Sequence, residues 1–454
     1  MSLLRTLVAM IILTAVPAVA ERINVAAGGA DLADAIARAK AGDTIYLAAG
    51  RHAGPVYIDK SLVLTGATGA VIDGGGQGSV VTIDAPDVSL RNVMIIGSGR
   101  RHDPIDAGVT LTKSARRAQV VSNDLRGNLV GIDIHGARDA RVAENRIEGL
   151  QLTRMNARGN GIYVWNAPGA VVENNEIRYG RDGIFSNVSR DNIYRGNLMR
   201  DLRFAVHYMY TNDSEVSGNV SIGNHLGFAM MYSDRLVARD NLSINDRDYG
   251  VMLNYTNKSD VFGNLVTGGA EKCAFVYNAH QNLLANNRFD GCAIGVHFTA
   301  GSERNTITGN AFIGNRTQVK YVGTRDVEWS YDGTGNYWSD HPAFDLNGDA
   351  RADSRYRPND VMDHILWSQP AAKLLLGAPA VQLVRWSQAQ FPATLTGGVV
   401  DSHPLVTPPA QEVPQNFLLL AQAAPAWSRG PNSGPSDSLH QDNSDALTDP
   451  LTAD

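Results

Sequence analysis

Asparagine recurs at an almost fixed interval through the middle of this 454-residue chain, at Asn123, Asn145, Asn175, Asn197, Asn219, Asn241, Asn264, Asn287 and Asn310. The successive intervals are 22, 30, 22, 22, 22, 23, 23 and 23, and Thr153–Gly159 reads as a loop inserted into the one long interval. Two residues after most of these asparagines stands an apolar residue, as at Leu125, Ile147, Ile177, Met199, Val266, Phe289 and Phe312. Eight to ten residues after most of them comes a small residue and a short β-rich run, such as Gly131–Ile134, Gly183–Ser186 and Gly227–Met230. A fixed period of this size means stacked identical units. Alternating strand formers fit neither a Leu-rich horseshoe nor paired helices. The pattern predicts an all-β chain, a right-handed parallel β-helix (solenoid). An amide recurring at one corner can hydrogen-bond from coil to coil, so the asparagines are read as structural rather than as a site.

A solenoid grows by stacking, so this length needs no division into several globular cores. The 45 glycines suit tight corners. The first 20 residues read as a signal peptide, with Arg5 as a basic n-region, an apolar Leu7–Leu13 and a small-residue cleavage pattern at Ala18–Ala20. The apolar run is short for a membrane span, and no other segment is a candidate. The mature chain is therefore expected to be exported, and periplasmic in a Gram-negative cell. Its formal charge of −6 becomes −7 without Arg5, 39 basic against 46 acidic residues. With no basic stripe carrying interleaved aromatics, nucleic acid is not an expected partner.

Residues 21–60 read as an N-terminal cap with a helix built on Leu32, Ala35, Ile36 and Ala39, which have helical spacing behind Asp31. Residues 61–325 form the solenoid. Residues 326–400 form a C-terminal cap and docking region, a short and mostly helical extension. It carries Trp329, Tyr337 and Trp338, the acidic segment Asp345–Asp353 and an apolar stretch from Asp363 to Phe391 that includes Leu374–Leu376. This stretch either docks on a membrane partner or folds back as a cap. Residues 401–454 are rich in Pro, Ser, Asp and Ala and read as a disordered tail. Cys273 and Cys292, the only cysteines, stand close to one coil apart. They are candidates for a disulfide between adjacent coils, for two buried thiols or for a copper site.

Strand alternation assigns directions. Aligning coils on the small residue sends Ile132, Ile162, Ile184, Val206, Phe228 and Val251 inward. Asp133, Tyr163, Phe185, His207, Ala229 and Met252 then point outward, followed by His135, Trp165, Asn187, Met209, Met231 and Asn254. His207, Met209, Met231 and Met252 thus share one outer face of three neighbouring coils. Thioethers and imidazole suit Cu(I); an exposed stripe of this kind also suits protein docking, or packing after a register slip. A second candidate site is Asp345, Asn347, Asp349 and Asp353, alternate oxygen ligands of the kind Ca²⁺ takes. Ala350 stands where such loops carry glycine, and the competing reading is a self-bonded acidic turn.

Enzymatic function has weaker support. Neither an Asp-Asp pair nor a Gly-His-Gly run appears, so the paired carboxylates of a glycoside hydrolase are missing. Arg100–Asp103 offers basic groups for a uronan lyase or C5-epimerase but is read as standing apart from the His207 face.

From about Arg203 to Trp386 the chain resembles the NosD family of periplasmic maturation proteins for nitrous oxide reductase. The matching runs include Phe204–Thr211, Gly227–Ser233, Glu271–Asn278, Cys292–Phe298, Gly301–Asn305, Gly335–Asp340, Phe344–Asp349, Tyr356–Asn359 and Gly397–Asp401. The resemblance implies a non-catalytic scaffold working beside an ABC transporter made of a permease and an ATPase, with a copper-carrying lipoprotein as a further partner. It implies a role in assembling the copper-sulfide cluster of nitrous oxide reductase. It brings no secure ligand list, so the Met/His stripe rests on strand alternation alone.

Overall fold

The computed structural model describes residues 20–28, 31–323, 325–359, 363, 378–390, 397–411 and 413–423. The expected signal peptide (Ala20 apart), Leu374–Leu376 and most of the expected tail lie outside these residues. Three parallel sheets of 13, 12 and 13 strands run the length of the solenoid, and each coil gives one short strand to each. The fold is the parallel β-helix expected from the repeat. Nearly continuous apolar columns fill the interior. One passes through Ile132, Ile162, Ile184, Val206, Phe228, Val251, Ala274, Val296 and Val319 in direct register, each buried.

The repeating asparagines occupy one corner and form a single ladder. In each coil the residue just before the asparagine has a left-handed backbone, as at Ser122, Glu144, Asn174, Gly196, Gly218, Asp240, Gly263, Asn286 and Gly309. This tight corner turns the amide inward. The Nδ2 of Asn197 donates to Asn219 Oδ1 at 2.9 Å, and that oxygen also accepts the Asn197 backbone N–H at 3.0 Å. A second Nδ2 hydrogen bond goes to Val172 O of the preceding coil. The same contacts run unbroken from Asn123 to Asn310, so every buried polar atom of the ladder is satisfied. The ladder then continues to Asn336, which the regular interval does not reach.

Both ends are closed. A helix at Asp31–Arg38 buries Leu32, Ala35 and Ile36 against the first coils. At the other end, Trp338 stacks on Phe312 at 4.2 Å, and Trp329 is fully buried beside them. Asp401 terminates the ladder. Its Oδ2 accepts the Asn336 N–H at 2.7 Å and Trp338 Nε1–H at 2.8 Å. Gly398–Val400 adds a strand to Asp326–Glu328. The folded cap therefore extends past residue 400, a correction to the expected start of the tail, because Asp401 supplies the acceptor that the last amide lacks. Within the expected helical extension the described residues include one helix, Pro379–Gln390. A further helix, Gln415–Ala423, belongs to a separate unit, Val413–Asp454. Cys273 and Cys292 are joined as a disulfide between adjacent coils, Cα atoms 5.7 Å apart.

Candidate metal-handling face

The 12-stranded sheet carries the longest strands, Asp182–Arg190 and Phe204–Asn212, and presents the outward columns read from the sequence. His207 pairs in register with Ala229, and Ala229 with Met252. Met209 pairs with Met231, two residues along from His207 and Ala229. The four candidate ligands therefore surround the small side chain of Ala229, on strands about 4.8 Å apart. His207 and Met252 stand two coils apart with Ala229 between them.

The stripe is less open than expected. His207 is only 6% exposed, because Phe185 stacks on it at 4.6 Å and Phe204 meets it edge-on at 5.0 Å. The three methionines are half-buried. Beneath the ring lies a carboxylate that strand alternation did not single out. Asp182, fully buried, lies 3.2 Å from His207 Nδ1 and accepts two hydrogen bonds from Arg203 at 2.8 and 2.7 Å. Burial alone raises the Asp182 carboxyl, but Arg203 and His207 outweigh it and hold it well below the usual carboxylate range. Burial pushes His207 down from its ordinary value despite Asp182, so the imidazole is neutral. A carboxylate only accepts, so Nδ1 carries the proton and Nε2 the lone pair. That Nε2 is buried and has no hydrogen-bond partner. A histidine held by a carboxylate on one nitrogen, its other lone pair free, is the arrangement that orients metal-binding imidazoles.

An exposed row of aromatics borders the methionines. Tyr210, Tyr232 and Tyr255 stack at 5.3 and 5.1 Å, and Tyr277 closes the row edge-on at 5.8 Å. The first three adopt φ of 51°, 48° and 50°, a strained region for such bulky residues. His297, farther along the His207 column, is pushed down to about 3 by burial and then by Lys320 and Lys272. Upstream, the segment around Arg100–Asp103 lies on this same sheet face. Its His102 and Asp103 share a cleft with Asp133, His135 and Trp165, three coils before His207.

The acidic loop gives calcium no support. Asp345 accepts backbone N–H groups from Gly348, Asp349 and Ala350. Asn347, Asp349 and Asp353 likewise accept from Asp349, Arg351 and Leu346. Their oxygens are used to close the turn on itself. Among the described residues no three His, Cys, Asp or Glu side chains are grouped to hold a metal ion. No described helix is long and apolar enough to cross a membrane.

The fold is a parallel β-helix whose 12-stranded sheet carries the candidate face. Residues 143–343 match the family model described as "Periplasmic copper-binding protein (NosD)". The chain is 41% identical to the "Probable ABC transporter binding protein NosD" of Pseudomonas aeruginosa over 379 residues, covering 81% of this chain and 89% of that protein. It is 39% identical to the protein of the same description from Stutzerimonas stutzeri, covering 81% and 87%. The chain belongs to the NosD family. Among solved structures, the Streptococcus pneumoniae surface adhesin PfbA is similar in fold, with TM-score 0.52 and 10% identity over 64% of this chain and 87% of that one.

Proposed function

We propose that this protein is a non-catalytic periplasmic scaffold that takes up Cu(I) and passes it on during assembly of the copper-sulfide cluster of nitrous oxide reductase, docked on an ABC transporter. The observation that carries the reading is the neutral, buried His207 with its unpartnered Nε2, fixed by Asp182, on the same sheet face as Met209, Met231 and Met252, with Ala229 between them. One imidazole and three thioethers form a soft, uncharged donor set, suited to Cu(I) and poorly suited to hard cations. Thioether bonds are weak enough for cargo to leave again. The copper binding described for the family and the ABC transporter named for its relatives support both halves of the reading.

Cu(I) enters as cargo. Asp182 keeps the Nδ1–H in place so that Nε2 offers its lone pair, and Phe185 and Phe204 exclude water. The stacked tyrosines give a docking partner an aromatic surface next to the donor set. A membrane partner is assigned to the helix Pro379–Gln390, whose Leu383 and Trp386 are 64% and 61% exposed. Such side chains ask for cover.

The test is to delete the gene in its host and measure copper content and visible spectrum of the purified reductase, then complement with variants. A reductase that keeps its electron-transfer copper but lacks the catalytic cluster supports the role; a fully loaded reductase refutes it. Alanine at His207, Met209, Met231 and Met252 together should abolish Cu(I) binding and complementation, and unchanged binding would remove the stripe from the mechanism. Leu383→Glu with Trp386→Glu should release the transporter while leaving Cu(I) binding intact.

A further inference from the structure

Three coils before His207, on the same sheet face, lies a cleft of about 900 Å³ that copper handling does not use. One wall is the loop at residues 99–106. It is pinned by the buried Asp106 carboxylate, which accepts the Arg101 backbone N–H at 2.8 Å and its guanidinium at 3.2 Å. The floor is Asp133, 3% exposed. Its Oδ1 is buried with no hydrogen-bond partner, and its one basic neighbour within ion-pair reach is His135 Nδ1, 3.9 Å from Oδ2, which burial holds below its ordinary value. A buried carboxyl with an unused oxygen facing a cleft is costly unless something comes to it. Burial raises Asp133 to about 7, which lets it both donate to and accept from a hydroxyl near neutral pH.

The opposite wall is aromatic. Trp165 and His135 sit in register on adjacent coils and stack at 4.2 Å. Lys113, Arg138 and Arg190 line the rim and are exposed. Lys113 and Arg138 enter no ion pair among the described residues; Arg190 lies 3.8 Å from Asp191. The cleft thus offers a flat π surface for a ring face, a buried carboxyl for hydroxyls and three cations for an anion.

We infer that this cleft is a binding site for an acidic carbohydrate, a short uronate chain whose ring lies on Trp165, whose hydroxyls meet Asp133 and whose carboxylates reach Arg138, Lys113 and Arg190. A volume of this size is ample for an oligosaccharide segment. The site is separate from the His207 cluster, so it stands or falls independently of copper handling.

The test is calorimetric titration of the full mature chain with a mannuronate trimer, a mannose trimer and acetate. The uronate should bind at least ~10-fold more tightly than the neutral sugar, about 1.4 kcal/mol, and acetate should not saturate. Asp133→Asn and Trp165→Ala should each weaken uronate binding at least ~10-fold while Cu(I) affinity is unchanged. Arg138→Gln, at an exposed position that leaves the core intact, should weaken the uronate but not the neutral sugar. Equal binding of acetate, or uronate binding unaffected in variants that retain the parental melting temperature, would overturn the assignment. Release of unsaturated uronate ends would instead make the cleft catalytic and overturn its reading as a binding site.

Discussion

Replacing Asp182 with Asn separates orientation of His207 from the mere presence of an imidazole. The substitution preserves shape and removes one charge. It leaves Arg203, whose side chain is 18% exposed, without its carboxylate. Stripping one partner from a buried pair costs about 3–5 kcal/mol, and the partial exposure of Arg203 puts the expectation near the lower end. The second effect falls on the metal. The introduced amide can present either its oxygen or its NH₂ to Nδ1, so the tautomer that frees Nε2 is no longer enforced. Loss of such an orienting carboxylate weakens metal binding ~10–100-fold, or about 1.4–2.8 kcal/mol. Stability and affinity are told apart by the double variant Asp182→Asn, Arg203→Met. It removes both charges, so it should recover much of the lost stability without restoring Cu(I) affinity. The assay is competition against a coloured Cu(I) chelator under anaerobic conditions, with urea unfolding alongside. If the folded double variant binds Cu(I) like the parent, the orienting role of Asp182 is wrong. In the parent, His207 is held below its ordinary 6.5, so protons compete only in acid. Cu(I) affinity should stay flat from pH 8 down to about 6.5.

Asp246 accepts hydrogen bonds from Ser221 and Ser243 inside the solenoid, and burial raises it to about 7. A carboxyl whose folded pKa lies above its unfolded value contributes stability that is complete below about pH 4 and is lost as pH rises to 7, by up to about 1.4 kcal/mol per pH unit. Asp246→Asn should therefore flatten the melting temperature across that window and raise it at pH 8; a pH profile parallel to the parent would refute this. Asp401→Ala orphans the Asn336 N–H and Trp338 Nε1–H, at about 1–3 kcal/mol each. It should lower the melting temperature and promote end-to-end association, visible by light scattering. Cys273→Ser with Cys292→Ser should cost about 3 kcal/mol for a loop of this length and leave Cu(I) titration unchanged; lost copper binding would return the cysteines to the ligand list.

The asparagine interval carried the architecture because one side chain performs one job at every coil, and strand alternation set the outward columns correctly from Asp133 to Met252. Three things escaped for physical reasons. Asp182 lies just before the small residue on which the coils align, and its partnership with Arg203 joins neighbouring coils, so no local pattern marks it. Asn336 lies 26 residues after Asn310, because the inserted turn carrying Trp329 breaks the interval. Tyr210, Tyr232 and Tyr255 occupy left-handed corners where Asn or Gly is expected, so their stacking from coil to coil has no signal in propensity. The acidic loop misled in the opposite way, since oxygens at alternate positions serve a self-bonded turn as readily as a cation.

The position of Asp401 has a consequence for biogenesis. Each finished coil is a template that the next coil of the same chain, or a foreign strand, can extend equally well. The residue that ends this templating comes 65 positions after the last ladder amide, so it is synthesised well after the coils it closes. Until it arrives, the growing end stays open to capture by a neighbouring molecule. Closure is thus a test of completeness, and a chain cut short before Asp401 keeps an adhesive end by which misassembly or proteolysis can recognise it.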